Sequence, residues 1–168
     1  MTSEASANLQ YHIRPIHQAD NPVVAAIIRQ VMTEFGVVGC GFSISDAEVD
    51  AMFEAYPAPG TAFFVVEREG AVRGCGGVAP LQGGDAGTCE LRKMYFLPEL
   101  RGTGMGNQLL GTILAAARSA GYSLCYLETL EAMDQARKLY TQHGFAPSNH
   151  ALGNTGHSSC NRFMTLAL

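Results

Sequence analysis

The sequence predicts an α/β fold built on a mixed sheet, and two patterns support that prediction. In the middle of the chain, short strands follow one another through tight turns, as antiparallel hairpins do. From Gly102 onward the order becomes helix, strand, helix and strand, which is typical of a crossover between parallel strands. The chain of 168 residues has the length of one ordinary domain. We therefore expect a flexible N-terminus at residues 1–10 and a single domain over residues 11–168.

The first third of the chain predicts one strand and two helices. The segment YHIRPI is a strand candidate, and the apolar residues after it recur on one helical face. These residues are Val24, Ile27, Ile28, Val31, Met32 and Phe35. A second helix is expected to begin at Ser45, because Ser45 and Glu48 fit a capping box. Pro57 and Pro59 are expected to end it.

Three strands come next. The segments TAFFVVERE and AVRGCGGVAPL are rich in β-forming residues and are joined through Glu69 and Gly70, which predicts an antiparallel hairpin. TCELRKMYFL is the third strand.

After this strand, an apolar stripe predicts a helix that ends at Gly121. The stripe consists of Met105, Leu109, Leu110, Ile113, Leu114 and Ala117.

The last third predicts two strands around a shorter helix. YSLCYLETL is mostly apolar, as expected for a strand covered on both faces, and should pair in parallel with RKMYFL. The helix after it should carry Ala132, Ala136, Leu139 and Tyr140 on one side and end at Gly144. The strand NRFMTLAL, with a short strand near Ala146 before it, completes the sheet.

Composition and charge narrow the classes of function. The net charge is -4 and the pI is about 5.7, and Lys and Arg form no cluster. A nucleic-acid partner is therefore not expected, because such proteins usually show a basic patch. No apolar run reaches the roughly 18 to 20 residues that span a bilayer, and MTSEASANLQ does not read as a signal peptide. We expect a cytoplasmic protein with small-molecule chemistry and no membrane partner.

The cysteines predict reduced thiols. They are odd in number, scattered, and never spaced as CxxC: Cys40, Cys75, Cys89, Cys125 and Cys160. Four lie in apolar or Gly-rich stretches, where a free cysteine usually behaves as a small buried hydrophobe. Cys160 lies near His157, but two ligands do not make a zinc site and nothing visibly orients the histidine for a Cys/His nucleophile. We expect no metal, and the role of these two residues stays open.

The stretch RGTGMG places Gly102, Gly104 and Gly106 at the start of a helix. A helix N-terminus has unpaired N–H groups and a partial positive charge, so a loop without side chains lets a phosphate approach the backbone. A tight turn or a close helix contact would explain an isolated pair of glycines. Three at this spacing, between a strand and an amphipathic helix, favour a phosphate site. The GxxxxGK[ST] signature is absent.

A dinucleotide fingerprint is the main rival interpretation of these glycines. Gly102 and Gly104 match its first two glycines, and Glu128 ends the next strand, where a ribose-binding acid would lie. Against it, Asn107 stands in place of the third glycine and the residues PEL separate the strand from the loop. Only about forty residues follow Glu128, too few for the further βα units of that fold. A different phosphate-containing ligand is favoured.

Two motifs in this order resemble the GCN5-related N-acetyltransferases, the GNAT family. RGTGMG fits the family signature [QR]xxGx[GA], and YFLPELRG looks like its fourth strand with the usual proline. ARKLYTQHGF is similar to the later AxxLYxxxGF segment. The resemblance runs from about Ile13 to Leu168 and is specific from Glu90 to Phe145. It implies the GNAT-like acyl-CoA N-acyltransferase fold, a mostly antiparallel sheet with strands 4 and 5 parallel and splayed, and helices on both faces.

The resemblance implies acetyl-CoA as the cosubstrate, bound in the cleft between the splayed strands. The pyrophosphate would be held by the backbone of Arg101, Gly102, Thr103, Gly104, Met105 and Gly106. The pantetheine arm would pair with the exposed backbone of Met94, Tyr95 and Phe96. The N–H of Phe96 would polarise the thioester carbonyl, because acyl transfer needs a donor fixed where negative charge develops.

The resemblance also implies the catalytic residues. Tyr140 occupies the position where a tyrosine commonly protonates the departing thiolate; from pattern alone it would be a residue at the edge of the core. Glu90 is the candidate base, because an amine with a pKa near that of lysine must lose a proton before it attacks. A carboxylate bridged to Arg92 or Lys93 is the structural alternative for Glu90. Glu128 is the substitute base.

One position departs from the family pattern. Met133 stands where many relatives carry an asparagine that contacts the cofactor. ELRKMY with LETLEAM looks closest to bacterial members whose acceptors are unassigned.

We expect an N-acetyltransferase that acts by direct attack of a primary amine, on a small molecule or a peptide. A non-catalytic acyl-CoA binding or sensing domain is the alternative. The acceptor, the base (Glu90, Glu128 or water) and the oligomeric state, a homodimer included, stay open.

Overall fold

The computed structural model describes residues 11–37 and 42–168. The expected flexible N-terminus and Cys40 lie outside these described residues. The strands are β1 (Tyr11–Pro15), β2 (Ala62–Arg68), β3 (Ala71–Pro80), β4 (Thr88–Phe96), β5 (Leu124–Thr129), β6 (Ala146–Ser148) and β7 (Arg162–Ala167). The helices are α1 (Asn21–Glu34), α2 (Met52–Ala55), α3 (Met105–Ser119) and α4 (Asp134–Gln142).

The strands form one seven-stranded sheet in the order β1-β2-β3-β4-β5-β7-β6. Every neighbouring pair is antiparallel except β4 and β5, which are parallel. The predicted hairpin turn joins β2 to β3, with φ of 53° at Glu69 and 79° at Gly70. Two successive positive φ values suit the right-handed twist of a two-residue hairpin. The mixed α/β fold class is confirmed.

Helices cover both faces of the sheet. On one face, α1 packs its apolar side, including Val24 and Ile28, against Val65 and Cys75 of the sheet. On the other face, α3 packs Leu109 and Ile113 into a second core that also contains Tyr140 of α4. Each face of the sheet therefore buries its own apolar cluster. No helix among the described residues is long and apolar enough to span a membrane.

Strands β4 and β5 pair over three residues and then separate. Thr88–Glu90 lies beside Leu124–Tyr126, so β5 pairs in parallel with the expected strand, but the stretch expected to pair, RKMYFL, is wrong because the pairing residues come before it. The cause is a β-bulge in β4. Arg92 pairs with Gly77 and Tyr95 pairs with Cys75, so β4 advances by three residues while β3 advances by two. Lys93 lies in this bulge with φ of 52°. Because a bulge bends its strand, the later part of β4 leaves β5 and opens a gap.

Two expectations about helix starts are also wrong. No helix begins at Ser45; the chain makes 3-10 turns at Ser43–Ser45 and Ala47–Ala51, followed by the single turn of α2. The carboxylate of Glu48 accepts a hydrogen bond from Lys93 Nζ at 3.0 Å, which commits it to a partner outside the predicted capping box. Ala132 lies before the first residue of α4.

Candidate active site

The gap between β4 and β5 opens into a cavity of about 760 Å³. Its loop end is lined by Gly102, Gly104 and Gly106. Its carboxylate end is lined by Glu90, Glu128, His157 and Cys160. Tyr140 and the β4 segment from Met94 to Phe96 also line the cavity. A cavity of this size and mixed lining is typical of a small-molecule site.

The loop end is bare backbone. Gly102 and Gly104 have φ of 75° and 85°, and a Cβ at either would meet nothing within 4 Å. Glycine is needed there for its backbone conformation, and it leaves the loop uncovered. Gly104 caps α3, whose first-turn amides have no partner within the helix. Gly106 differs from these two, since its φ is not positive and the close neighbour is Leu139, which would lie 3.2 Å from a Cβ there.

Thr103 and Met105 contribute little side chain to the cavity. The hydroxyl of Thr103 donates to the carbonyl of Leu100 at 2.6 Å, and Met105 is buried in the core below α3. The amide of Met105 in turn donates to the hydroxyl of Thr103 at 3.4 Å, and neither residue is among those that line the cavity.

Arg101 is occupied by protein groups. Its guanidinium donates to both carboxylate oxygens of Glu34, at 2.6 and 2.8 Å, and to the carbonyl of Phe96 at 2.9 Å. Glu34 is the last residue of α1, so this contact ties the end of β4 to that helix. The side chain of Arg101 thus positions the start of the glycine loop, and its backbone amide is also bonded, to the carbonyl of Pro98 at 3.1 Å.

The late part of β4 has an open edge. The amide of Leu97 donates to the carbonyl of Arg73 in β3, at 3.0 Å. Since N–H groups alternate in direction along a strand, the amides of Phe96 and Met94 point away from β3 and toward the gap. Tyr95 faces the other way and pairs with Cys75 of β3. An extended ligand arm could therefore pair with β4 as an added strand.

Tyr140 is buried on α4, with only 7% of its surface exposed. Its ring meets the ring of Phe145 edge-on, with the centroids 5.8 Å apart. Burial raises the pKa of the Tyr140 hydroxyl above its ordinary value of 10. The phenol is therefore protonated at neutral pH and can donate a proton. The difference between its pKa and that of a thiol is larger than for an exposed tyrosine, so the transfer to a thiolate is more uphill.

Two carboxylates face the same side of the sheet at the point where the strands part. Glu90 is opposite Tyr126, two residues before Glu128. Glu90 is buried and accepts a hydrogen bond from Arg92 Nε at 2.6 Å. Glu128 has one buried oxygen, Oε1, without a hydrogen-bond partner in the described part of the chain. Glu90 forms a salt bridge with Arg92, whereas Glu128 forms none in the described part of the chain, and the nearby charge of His157 only partly offsets its burial.

The environment of Glu128 favours its neutral form. Burial raises the pKa of its carboxyl, a hydrogen bond with Thr155 opposes that effect, and the nearby charge of Glu90 adds to it. A cation placed between the two glutamates would relieve this repulsion. Such a carboxylate can hold an ammonium group or accept a proton from one.

A cluster of ion pairs also lies at the carboxylate end of the cavity, and the sequence analysis did not predict it. Lys93 Nζ lies 2.5 Å from Asp46 and 3.0 Å from Glu48, and Asp46 also accepts from His157 Nε2 at 2.8 Å. The hydrogen bond to Asp46 raises the pKa of His157 above 6.5. These residues are separated by 45 to 111 positions, so no local pattern could have linked them.

Cys160 is not activated as a nucleophile. Burial, together with the carboxylates of Glu128 and Glu90, raises its pKa to about 12. The thiol is therefore protonated near neutral pH, while attack requires the thiolate. Glu90, Glu128 and His157 each offer a ligand atom within 4.8 Å of the others. Nε2 of His157 already bonds Asp46, and the expected absence of a metal stays a prediction.

The sequence profile of the acetyltransferase (GNAT) family matches residues 26–145, a range that includes β4, the glycine loop and Tyr140. The chain belongs to the GNAT family. Among its relatives, the uncharacterised N-acetyltransferase YjgM of Escherichia coli (strain K12) is 43% identical over 149 residues. That alignment covers 88% of this chain and 89% of YjgM. Membership of this family and the likeness to YjgM identify the chain as an acyltransferase that uses acetyl-CoA.

Solved GNAT structures share the fold. A GNAT acetyltransferase from Staphylococcus aureus Mu50 superposes with a TM-score of 0.80 at 18% identity, covering 94% of this chain and 99% of its own. The protein yncA from Salmonella typhimurium, solved with its cofactor acetyl-CoA, superposes with a TM-score of 0.73 at 21% identity and covers 94% of both chains. The expected GNAT fold, with parallel and splayed β4 and β5, is confirmed.

Proposed function

We propose that this enzyme transfers the acetyl group of acetyl-CoA to a primary amine of a small molecule or peptide, by direct attack in a ternary complex. One observation carries the proposal: a single cavity joins a bare loop, an open strand edge, a buried phenol and an uncompensated carboxylate. Each of these groups meets one demand of acetyl transfer. The first two suit the coenzyme, and the last two suit the proton transfers.

The coenzyme would lie along β4 with its pyrophosphate on the glycine loop. Free amides at the start of α3 and the partial positive charge of the helix end favour a phosphate there. The pantetheine arm would pair with the open edge at Met94 and Phe96. The amide of Phe96 would then donate to the thioester oxygen, where negative charge develops as the amine attacks.

In the chemical step, the amine nitrogen bonds to the acetyl carbon and the bond from that carbon to sulfur breaks. The leaving thiolate takes a proton from the hydroxyl of Tyr140, which is buried beside the cavity and protonated at neutral pH. The ammonium form of the amine gives one proton to a carboxylate before it attacks, and the nitrogen releases a second proton to solvent as the acetamide forms. The products are an acetamide and the free thiol of coenzyme A.

Two carboxylates compete for the role of base. Glu90 is the residue that the sequence predicts, but its carboxylate is already bound to Arg92 Nε at 2.6 Å. Glu128 has an unpartnered oxygen, Oε1. Its pKa is raised and therefore lies closer to the pKa of the ammonium group from which it must accept a proton. We assign the proton transfer to Glu128, and to Glu90 the electrostatic support of the attacking amine.

The test is release of free thiol from acetyl-CoA in the presence of a panel of primary amines, with the acetylated product identified by mass. Amine-dependent release is the expected result. Tight binding of acetyl-CoA without release by any amine would contradict the proposal and favour a non-catalytic acyl-CoA sensor.

A further inference from the structure

The cations at the carboxylate end are all paired. Arg92 bonds Glu90, Lys93 bonds Asp46 and Glu48, and His157 bonds Asp46. The remaining cations that line the cavity, Arg101 and Lys138, belong to the glycine loop and to the helix that packs on it. Residues 1–10 and 38–41, which the structure leaves undescribed, contain no Lys, Arg or His. No side-chain cation remains free at this end to bind an anionic group.

The balance of charge at this end is negative. Four carboxylates are opposed by Arg92, Lys93 and His157. The carboxylates are Asp46, Glu48, Glu90 and Glu128. Glu128 is the member of this set that is paired with none of the three cations, and its buried Oε1 has no partner in the described residues. The group that would complete this arrangement is a cation.

Part of the cavity wall is apolar. Met32 of α1, Phe42, Leu130 and Met133 line the cavity and belong to or pack against the core on the α1 face. Met133 is the residue that departs from the family pattern. An acceptor bound here would meet carboxylates around its nitrogen and hydrocarbon around the rest of its body.

From these observations we propose that the acceptor is a cationic amine with an apolar body and without a carboxylate on the carbon that bears the nitrogen. The proposal rests on the proposed function and names the class of amine. A carboxylate next to the nitrogen would enter a negative site without a free cation, and would give up its hydration without a new partner. An α-amino acid is therefore a poor acceptor, whereas its decarboxylated counterpart fits.

The test compares phenethylamine with phenylalanine, which differ by that carboxylate. Thiol release from acetyl-CoA gives kcat/KM for each, and phenethylamine should exceed phenylalanine at least about tenfold, the effect expected of one uncompensated charge in a site of intermediate dielectric. Phenethylamine is the more basic amine, so its smaller neutral fraction works against the expected order. Equal values, or a preference for phenylalanine, would overturn the inference.

A measurement of binding affinity distinguishes failure of this inference from failure of the proposed function. The tertiary amines N,N-dimethylphenethylamine and N,N-dimethylphenylalanine cannot give a stable acetamide, so calorimetry with the coenzyme A complex measures affinity without turnover. Preference for the first, with no thiol release from either primary amine, would contradict only the proposed function. Equal affinity, or no binding of either, would overturn the inference even if both primary amines were acetylated.

Substitution of Glu128 tests the residue that carries the argument. Glu128→Gln removes the uncompensated charge and keeps the shape of the side chain, so the affinity ratio of the two tertiary amines should fall to within about twofold of one. Glu69→Gln, at the exposed turn between β2 and β3, is the matched control and should leave the ratio unchanged. An unchanged ratio in Glu128→Gln would contradict the assignment.

Discussion

Arg92 Nε lies 2.6 Å from Oε1 of Glu90, and this ion pair distinguishes the two carboxylates of the candidate active site. Glu90 is 3% exposed, yet its charge is compensated by Arg92. Glu128, on the neighbouring strand, has no such partner, and burial raises the pKa of its carboxyl. In the sequence, the two residues are alternative candidates for the general base. Their different surroundings in the structure are the reason for assigning them different roles.

The pH dependence of the rate tests these roles. Glu128 must be ionised to accept a proton, and its raised pKa means that kcat/KM falls as the pH drops through that value. Glu128→Gln should lower kcat/KM about 100-fold and abolish this acidic limb. Glu90→Gln should keep the limb. The measurement is the pH profile of thiol release with one amine, and a limb that is lost in Glu90→Gln and kept in Glu128→Gln would reverse the assignment.

Removal of the Tyr140 hydroxyl should slow the chemical step without weakening coenzyme binding. Tyr140→Phe is expected to lower kcat by about 100-fold, because the thiolate then leaves without a positioned proton donor. The Kd for acetyl-CoA, measured by calorimetry, should stay within twofold. Tyr122→Phe is the matched control, since that hydroxyl bonds the carbonyl of Gly60 and lies outside the cavity lining. Equal effects of the two substitutions would dismiss the acid role.

Two glycines with the same backbone strain separate binding from stability. Gly104 and Gly121 have φ of 85° and 87°, and at neither would a Cβ meet an atom within 4 Å. Alanine at each should lower the free energy of unfolding by a similar amount, about 1–2 kcal/mol. Weaker binding of coenzyme A, by about tenfold or more, is expected only for Gly104→Ala. Similar losses of affinity in both variants would argue against a phosphate site on the loop.

The contact of His157 with Asp46 should make stability depend on pH. Asp46 raises the pKa of His157 above its unfolded value of 6.5. The charged contact therefore stabilises the fold fully below pH 6.5, and this contribution is lost as the pH rises through the raised folded-state value. Its size should be about 1 kcal/mol. Chemical denaturation of wild type and His157→Gln across this range measures the difference.

The exposed His150 provides the control for that measurement. His150→Gln should follow the wild-type pH dependence. A stability difference between wild type and His157→Gln that is constant with pH, or that grows as the pH rises, would contradict the contact.

Much of the fold follows from local patterns. Apolar periodicity predicts α1 and α3, and the Glu69-Gly70 turn predicts the hairpin; these elements depend on residues close in the chain. The failures have tertiary causes. Lys93 binds Glu48 and thereby takes it from the expected capping box, and the bulge at Lys93 sets where β4 leaves β5. Neither contact could be inferred from neighbouring residues.

The candidate site divides in the same way. Glycine spacing and the family motifs predict the loop end and Tyr140, because these depend on short segments with a fixed order. The pairing of Arg101 with Glu34, and of His157 with Asp46, joins residues 67 and 111 positions apart and needed the structure. The residue roles, the absence of a metal and a homodimer stay predictions.

The most direct test of the central claim is the initial rate of thiol release measured while the concentrations of acetyl-CoA and of the best amine are both varied. Direct attack in a ternary complex predicts reciprocal plots that intersect, and no labelled protein after incubation with radioactive acetyl-CoA alone. Parallel lines with an acetylated enzyme would contradict the account, because they are the mark of a covalent intermediate.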